Sequence, residues 1–223
     1  MSLLLSIETA TTNCSVSLSE NGKTLALKED YSNNFSHAEK LHVYIDSLLK
    51  ENNIKPNQID AVAVSKGPGS YTGLRIGVSA AKGLCFALNK PLISIPTLTS
   101  LSHQIRIEKG KIVSMLDARR LEVYSAVFDS SHIQIRDTQA EIVDTNSYNI
   151  YLDKGKVFFI GTGVQKTKEL LNHTNAIFIE DKLPSANEMS ELSYQKFKTG
   201  EFEDVAYFEP YYLKDFVAIK PKN

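Results

Sequence analysis

The stretch from Ile59 to Leu88 restricts what this chain can fold into more than any other. It opens on an apolar run, Ala61-Val62-Ala63-Val64, short enough for a buried strand. A glycine-rich corner follows, Gly67-Pro68-Gly69-Ser70-Tyr71-Thr72-Gly73, and then an apolar segment with helical spacing. On a helix, Leu74, Val78, Ala81, Cys85 and Leu88 fall in one stripe, and Gly73, Ile76, Ala80, Gly83 and Ala87 in a second. Only Arg75, Ser79 and Lys82 form a clearly polar strip. A surface helix needs one apolar face, so this one is expected to be covered on two sides. The second stripe is built of small residues, which let another helix backbone come close. Each interior glycine costs a helix about 1 kcal/mol relative to alanine, a cost that tight packing would offset.

Composition sets the outer bounds. The 223 residues suit one large domain or two small ones. A net charge of -1 gives no basic field of the kind that drives phosphate neutralisation, so autonomous nucleic-acid binding is not expected. Cys14 and Cys85 both lie in apolar contexts and read as buried free thiols in a reducing compartment. The apolar start, Leu3-Leu4-Leu5 with Ile7, lacks a basic flank and reads as a strand and not a signal peptide. No apolar run approaches the ~18 residues of a membrane span. A cytoplasmic, soluble chain with no membrane partner is the expectation.

Taken in order, Leu3–Ile7 and Cys14–Leu18 read as strands, and Asn21-Gly22 as a two-residue hairpin turn into a third strand, Lys23–Lys28. Ser36-His37-Ala38-Glu39 matches a capping box, and the helix it starts carries Ala38, Leu41, Ile45, Leu48 and Leu49 on one face, flanked by Tyr44. After the strand–corner–helix come a strand at Leu92–Ile95, a helix over Thr97–Ile107 and a turn at Lys109-Gly110. Three strands, then helix, strand, helix, strand, helix make a complete α/β layer. The second half begins the same way: strands at Lys111–Leu116, Leu121–Phe128, His132–Val143 and Val157–Ile160, with Gly161-Thr162-Gly163 and a helix to about Asn172 beyond. A strand at Ala176–Ile179 and a helix at Ser185–Phe197, stopped by Gly200, complete it. The halves look like structural duplicates without a visible sequence repeat. The division expected is residues 1–105, residues 106–202, and an aromatic tail, 203–223, packing back on the first domain.

Phosphate chemistry at the glycine corner is weakly supported. No Gly-Lys-Ser/Thr ending is present, which excludes a Walker-type loop. A dinucleotide site would want an acid closing the next strand, which instead ends Ile95-Pro96-Thr97. The corner therefore reads first as structural. Glu8 and Thr9 to Thr12 after the first strand look like the phosphate-binding hairpin of the sugar-kinase and actin superfamily, or equally like a polar strand end. His37 and His42, five apart, miss a common helical face, and His103, His132 and His173 lie in separate elements, so no metal site is expected. No nucleophile elbow appears.

Six segments, in order, carry a specific likeness. They are Leu3-Leu4-Leu5-Ser6-Ile7-Glu8-Thr9-Ala10, Ser36-His37-Ala38-Glu39-Lys40-Leu41, Gly67 through Gly77, Ala80-Ala81-Lys82-Gly83-Leu84, Pro96-Thr97-Leu98-Thr99-Ser100-Leu101 and Asp117-Ala118-Arg119-Arg120-Leu121-Glu122-Val123-Tyr124. With these the chain resembles the bacterial TsaB family of tRNA threonylcarbamoyladenosine biosynthesis proteins. The resemblance implies an α/β, two-domain actin-like/sugar-kinase-like (ASKHA) fold, each half a mixed sheet with helices. It also implies a non-catalytic scaffold with no cofactor, in the complex that transfers a threonylcarbamoyl group to the adenosine beside the anticodon of ANN-decoding tRNAs. The implied partners are a TsaD-like catalytic subunit, a TsaE-like ATPase, a second copy of the chain when alone, and tRNA only through the complex. The catalytic paralogue's His-x-x-x-His metal positions fall here on Thr97 and Leu101. The expected partner or dimer interface is His37, Leu41, Tyr44 and Leu48 with Gly73, Ile76, Ala80, Gly83 and Ala87. Glu8, Thr9, Thr11 and Thr12 would be vestigial nucleotide-facing residues.

Three rivals stand beside this reading. An ATP-dependent phosphotransferase of the same superfamily would need a second glycine-rich site, for which Gly161-Thr162-Gly163 is the candidate. A metallopeptidase would need the missing ligand pair. An RNA-binding module would bind weakly and with strong salt dependence at this net charge.

Overall fold

The computed structural model describes residues 1–31 and 36–214. Two five-stranded mixed sheets form its frame, and they share one topology. In the first, β1 (Leu3–Glu8), β2 (Cys14–Glu20) and β3 (Lys23–Asp30) make an antiparallel meander, and β4 (Ala61–Gly67) and β5 (Leu92–Pro96) add in parallel beside β1, in the order β3-β2-β1-β4-β5. In the second, β6 (Lys111–Asp117), β7 (Glu122–Asp129) and β8 (Gln134–Ile142) repeat the meander, and β9 (Val157–Ile160) and β10 (Ala176–Ile179) repeat the parallel pair, in the order β10-β9-β6-β7-β8. The Asn21-Gly22 turn takes the left-handed conformation at both residues, φ 49° and 83°, which those residue types tolerate. This duplicated β-β-β-α-β-α-β-α frame is the actin-like/sugar-kinase-like fold that the resemblance implied.

Period-two alternation splits each sheet into two faces. Leu5, Ile7, Val62 and Val64 of the first sheet meet α1 (His37–Glu51) and α2 (Tyr71–Leu88), through Leu41, Ile45 and Leu48 of one and Val78, Ala81 and Cys85 of the other. Leu4, Ala61, Ala63, Ile93 and Ile95 on the opposite face meet Met189 of α6 (Met189–Thr199). In the second sheet Val113, Met115 and Phe159 pack with Val164 of α5 (Val164–Leu170) and Leu152 of the short α4 (Asn149–Leu152). Its other face, Ile112, Leu116, Phe128 and Ile160, is covered by Leu98 and Leu101 of α3 (Thr97–Ser102). The halves thus exchange helices: the helix ending each unit along the chain covers the other unit's sheet. Helix α6 packs on the first sheet although it follows the second, and α3 packs on the second although it follows the first.

Several local expectations need correcting. The capping box at Ser36 is absent: its hydroxyl donates to the Asp30 carboxylate at 2.7 Å, and no side chain caps α1. Asp30 also holds Lys40, so the helix start is tied to the end of β3. Ala38 is exposed, and His37 takes its place on the buried face. Helix α3 ends at Ser102, short of Ile107, because Ser100 and Ser102 hydroxyls donate back to the Thr97 and Thr99 carbonyls and compete with continued helix. Helix α6 starts at Met189 and not Ser185; the Ala186 amide and carbonyl are bound instead by the hydroxyls of Ser15 and Ser17. The short α4 and a 3₁₀ turn at Pro56–Gln58 add to the expected elements.

The described part of the tail crosses the first half. Glu203 bridges to Leu92, and Lys82 Nζ donates to the carbonyls of Ala206 and Phe208, each at 3.0 Å. The Tyr211 amide donates to the Lys66 carbonyl at 2.7 Å, and Lys214 pairs with Glu122 of the second sheet. Residues 215–223 of the expected tail lie outside the described residues.

Candidate functional site

Two places compete as the site: the end of β1, where nucleotide-facing residues were expected, and the solvent side of α1 and α2. At the first, Glu8 and Thr9 are fully buried. Glu8 Oε1 accepts the Ala10 amide at 2.6 Å and the Ser65 hydroxyl at 2.7 Å. Burial pushes this carboxyl from an ordinary 4.5 up to about 7, against the opposing pull of those hydrogen bonds. Thr9 Oγ1 donates to the Gly73 carbonyl at 2.8 Å, and the Ser70 amide donates to the Ala10 carbonyl at 2.7 Å.

The glycines explain how the corner comes so close. A Cβ on Gly69 would sit 2.5 Å from the Ala10 carbonyl oxygen, and one on Gly73 2.2 Å from that of Thr9. A Cβ on Gly77 would sit 2.2 Å from Thr9 Oγ1. The first turns of α2 therefore close directly on the hairpin after β1. His37 Nε2 donates to the Thr11 carbonyl at 2.7 Å, and Asn13 Nδ2 donates to the Pro184 carbonyl at 3.0 Å, sealing the remainder. Of the four residues expected to face a nucleotide, Glu8, Thr9 and Thr11 are buried within the chain's own packing and only Thr12 is half-exposed. The second-half corner is closed in the same way. Cβ atoms on Gly161 and Gly163 would fall 2.2 Å from the Met115 carbonyl oxygen and 3.0 Å from Val123, while Thr162 Oγ1 accepts the Asp117 amide at 2.9 Å.

The α1–α2 surface is different. A groove of about 530 Å³ runs between the two helices, lined chiefly by Ala38, His42, Ile76, Ala80, Gly83 and Leu84. Gly83 has no neighbour within 4 Å of where a Cβ would stand, and its backbone is ordinary helix. Packing inside the chain therefore does not require glycine there, in contrast to Gly73 and Gly77. Arg75 stands at one end, its guanidinium 4.0 Å from the centre of the Tyr71 ring and its Nε donating to the Tyr212 hydroxyl at 3.1 Å.

The expected interface residues divide accordingly. His37, Leu41 and Leu48 are buried under α1 and offer no outward surface, and Gly73 is spent on Thr9. Tyr44 and Ile76 are half-buried, Ala80 is almost buried at the groove floor, and Gly83 and Ala87 are exposed. Sequence reasoning missed Ala38, His42 and Leu84, although stepping four residues from Ile76 and Ala80 along α2 leads to Leu84. It also missed the Arg75–Tyr71–Tyr212 clamp, because nothing local announces that the tail returns to α2.

Thr97 and Leu101, the positions of the paralogue's metal ligands, are both fully buried, Leu101 in the layer between α3 and the second sheet. His103 stacks on His132 with ring centres 4.3 Å apart, and its Nδ1 bonds the Thr99 carbonyl. Among the described residues no three His, Cys, Asp or Glu side chains group as a metal site would. No described helix is long and apolar enough to cross a membrane.

Comparison with known proteins agrees with this geometry. Residues 33–222 match the family model described as TsaD, tRNA N6-adenosine threonylcarbamoyltransferase. The tRNA threonylcarbamoyladenosine biosynthesis protein TsaB of Escherichia coli is 30% identical across 97% of this chain and 96% of its own length. The chain belongs to the TsaB family. A solved relative, YeaZ from Pseudomonas aeruginosa, superposes with a TM-score of 0.82 at 27% identity, covering 96% of this chain and all of its own. A tRNA N6-adenosine threonylcarbamoyltransferase of Staphylococcus saprophyticus is 37% identical, but over only 48% of this chain and 36% of that protein. The Escherichia coli protein thus matches from end to end, and the longer transferase only in part.

Proposed function

We propose that this chain acts in tRNA threonylcarbamoyladenosine biosynthesis as a non-catalytic subunit that docks on a TsaD-like catalytic subunit through its α1–α2 groove. The open groove carries this reading. Its floor is apolar and small, and at Gly83 an exposed helix gives up about 1 kcal/mol without any return inside the chain. A partner helix backbone brought close to that spot supplies the return. The closed hairpins at both strand ends support a role without nucleotide chemistry of its own, and they count against the phosphotransferase reading. In the partner's absence the same groove meets a second copy of the chain. A TsaE-like ATPase then joins the assembled pair, and tRNA is engaged within it.

Gly83→Arg tests the surface. The new side chain has free space in this chain but fills the groove. The isolated variant is expected to stay folded, with its melting temperature unchanged or raised, and to lose co-purification with the TsaD-like subunit. Ala80→Arg should do the same, less cleanly, since Ala80 also touches the core. Partner binding by folded Gly83→Arg at unaltered affinity would refute the assignment.

A further inference from the structure

A second concave surface, sharing no lining residue with the α1–α2 groove, lies at the end of the second sheet where β6 and β9 begin. Residues just before and at the start of β6 and just before β9 form a pocket of about 320 Å³. Lys109 and Lys111 line it from the β6 side, Lys154 and Lys156 from the β9 side, with Tyr151 beside them. Glu108 is the single carboxylate in the lining. None of the four ammonium groups has a hydrogen-bond or ion-pair partner among the described residues; of the other described lysines seven are so paired and seven are not, and it is the gathering of four in one hollow that is distinctive.

The array is fixed and not accidental to one loop. The Lys111 amide donates to the Lys156 carbonyl at 3.0 Å, and Gly110, at φ +114°, lets the two segments touch: a Cβ there would sit 2.4 Å from that same carbonyl oxygen. Two i, i+2 lysine pairs are thereby held side by side at the head of a parallel strand pair. Like charges so gathered repel one another, and the one carboxylate in the lining, Glu108, offsets only part of the four. The net charge of -1 over the whole chain hid this concentration from a reading of composition.

We infer that this lysine pocket is a contact for the phosphodiester backbone of RNA, so that the chain touches tRNA with its own residues and not solely through partners. The choice of tRNA rests on the function proposed above; the phosphate chemistry does not. Unpaired ammonium groups on flexible stems suit a run of phosphates that they neutralise as counterions are released. Lysine is depleted at protein–protein interfaces, which disfavours an acidic protein as occupant. A phosphate group free in solution shares the chemistry but could engage only part of a four-lysine array.

The full-length chain and a variant carrying Lys109→Gln, Lys111→Gln, Lys154→Gln and Lys156→Gln are titrated against an unmodified tRNA transcript by fluorescence anisotropy at two salt concentrations. All four side chains are exposed or half-exposed, so the variant should fold, as circular dichroism checks. The wild type is expected to bind weakly and with steep salt dependence. The variant should lose about tenfold or more in affinity at low salt, and its slope of log K against log salt should flatten by about 3, as for up to four lost contacts. An unchanged affinity and slope would overturn the inference. So would displacement of the tRNA by inorganic phosphate at equal phosphate concentration, which marks a small-anion pocket, or binding of polyglutamate where tRNA does not bind, which marks a protein surface. Gly83→Arg should retain RNA binding in isolation, so a failure here and a failure of the pairing surface are separately visible.

Discussion

Replacing Glu8 by glutamine isolates the electrostatic strain of the sealed strand end. The carboxyl is wholly buried, one oxygen satisfied by the Ala10 amide and Ser65 hydroxyl and Oε2 without a partner, and burial raises its pKa from 4.5 to about 7. A raised value means that the folded chain holds this proton more tightly than the unfolded chain. Folding stability therefore falls as pH rises from about 4.5 to about 7, and levels off above. A shift from 4.5 to about 7, at about 1.4 kcal/mol per unit, is on the order of 3 kcal/mol, most of which falls between pH 5 and pH 8. Glutamine keeps an acceptor for Ala10 and Ser65 and mimics the neutral acid, so its own stability lacks this dependence. Urea unfolding of both proteins at several pH values cancels every other titration in the difference. The wild type should lose about 2–3 kcal/mol relative to Glu8→Gln across that range. A difference that stays constant within about 0.5 kcal/mol from pH 5 to pH 8 would mean that the carboxylate is solvated in solution, and the sealed hairpin would be wrong.

Two further outcomes follow from the same packing. Gly73→Ala and Gly83→Ala place one substitution in one helix with opposite sign: the first forces a Cβ to 2.2 Å from a backbone oxygen and should cost about 2 kcal/mol or more, and the second meets nothing and should add about 0.5–1 kcal/mol, both read by thermal unfolding. Burial pushes the thiols of Cys14 and Cys85 up to about 11, so a thiol reagent at pH 8 should label neither until denaturant is added; rapid labelling of the native chain would contradict their placement in the core.

What could be read in advance was whatever a local pattern encodes. The apolar run Leu3–Ile7, the Asn21-Gly22 turn and the two stripes of α2 are each patterns of neighbouring residues, and each element stands where its pattern put it. The glycine corner was legible as structural, but its partner was not. That Gly69, Gly73 and Gly77 answer to Ala10 and Thr9 is a contact across some sixty residues, and no spacing announces it. The same limit hid what buries His37, Leu41 and Leu48. A helix with one apolar face declares what it buries but not against what, and here the first sheet claims them before any partner can. Ser36 failed for a related reason, since Asp30 outcompetes the helix amides for its hydroxyl.

Gly83 and the lysine pocket raise one question in opposite chemistry. Within a packed chain, a glycine is accounted for by the atom its missing Cβ would strike or by a positive φ, as at Gly155 and Gly200, and a cluster of like charges by the groups that neutralise it. Gly69, Gly73, Gly77, Gly161 and Gly163 meet the first requirement inside this molecule, as Lys40, Lys166 and Lys214 meet the second. Gly83 and the four lysines around Tyr151 meet neither among the described residues. One exposes an apolar helix seam on the first half, the other a cationic hollow on the second, so the two surfaces suit different molecules. Under the proposed function, a subunit that held a protein with one half and an RNA with the other would need no reactive group of its own. Its two closed strand ends leave both halves free to act as contacts.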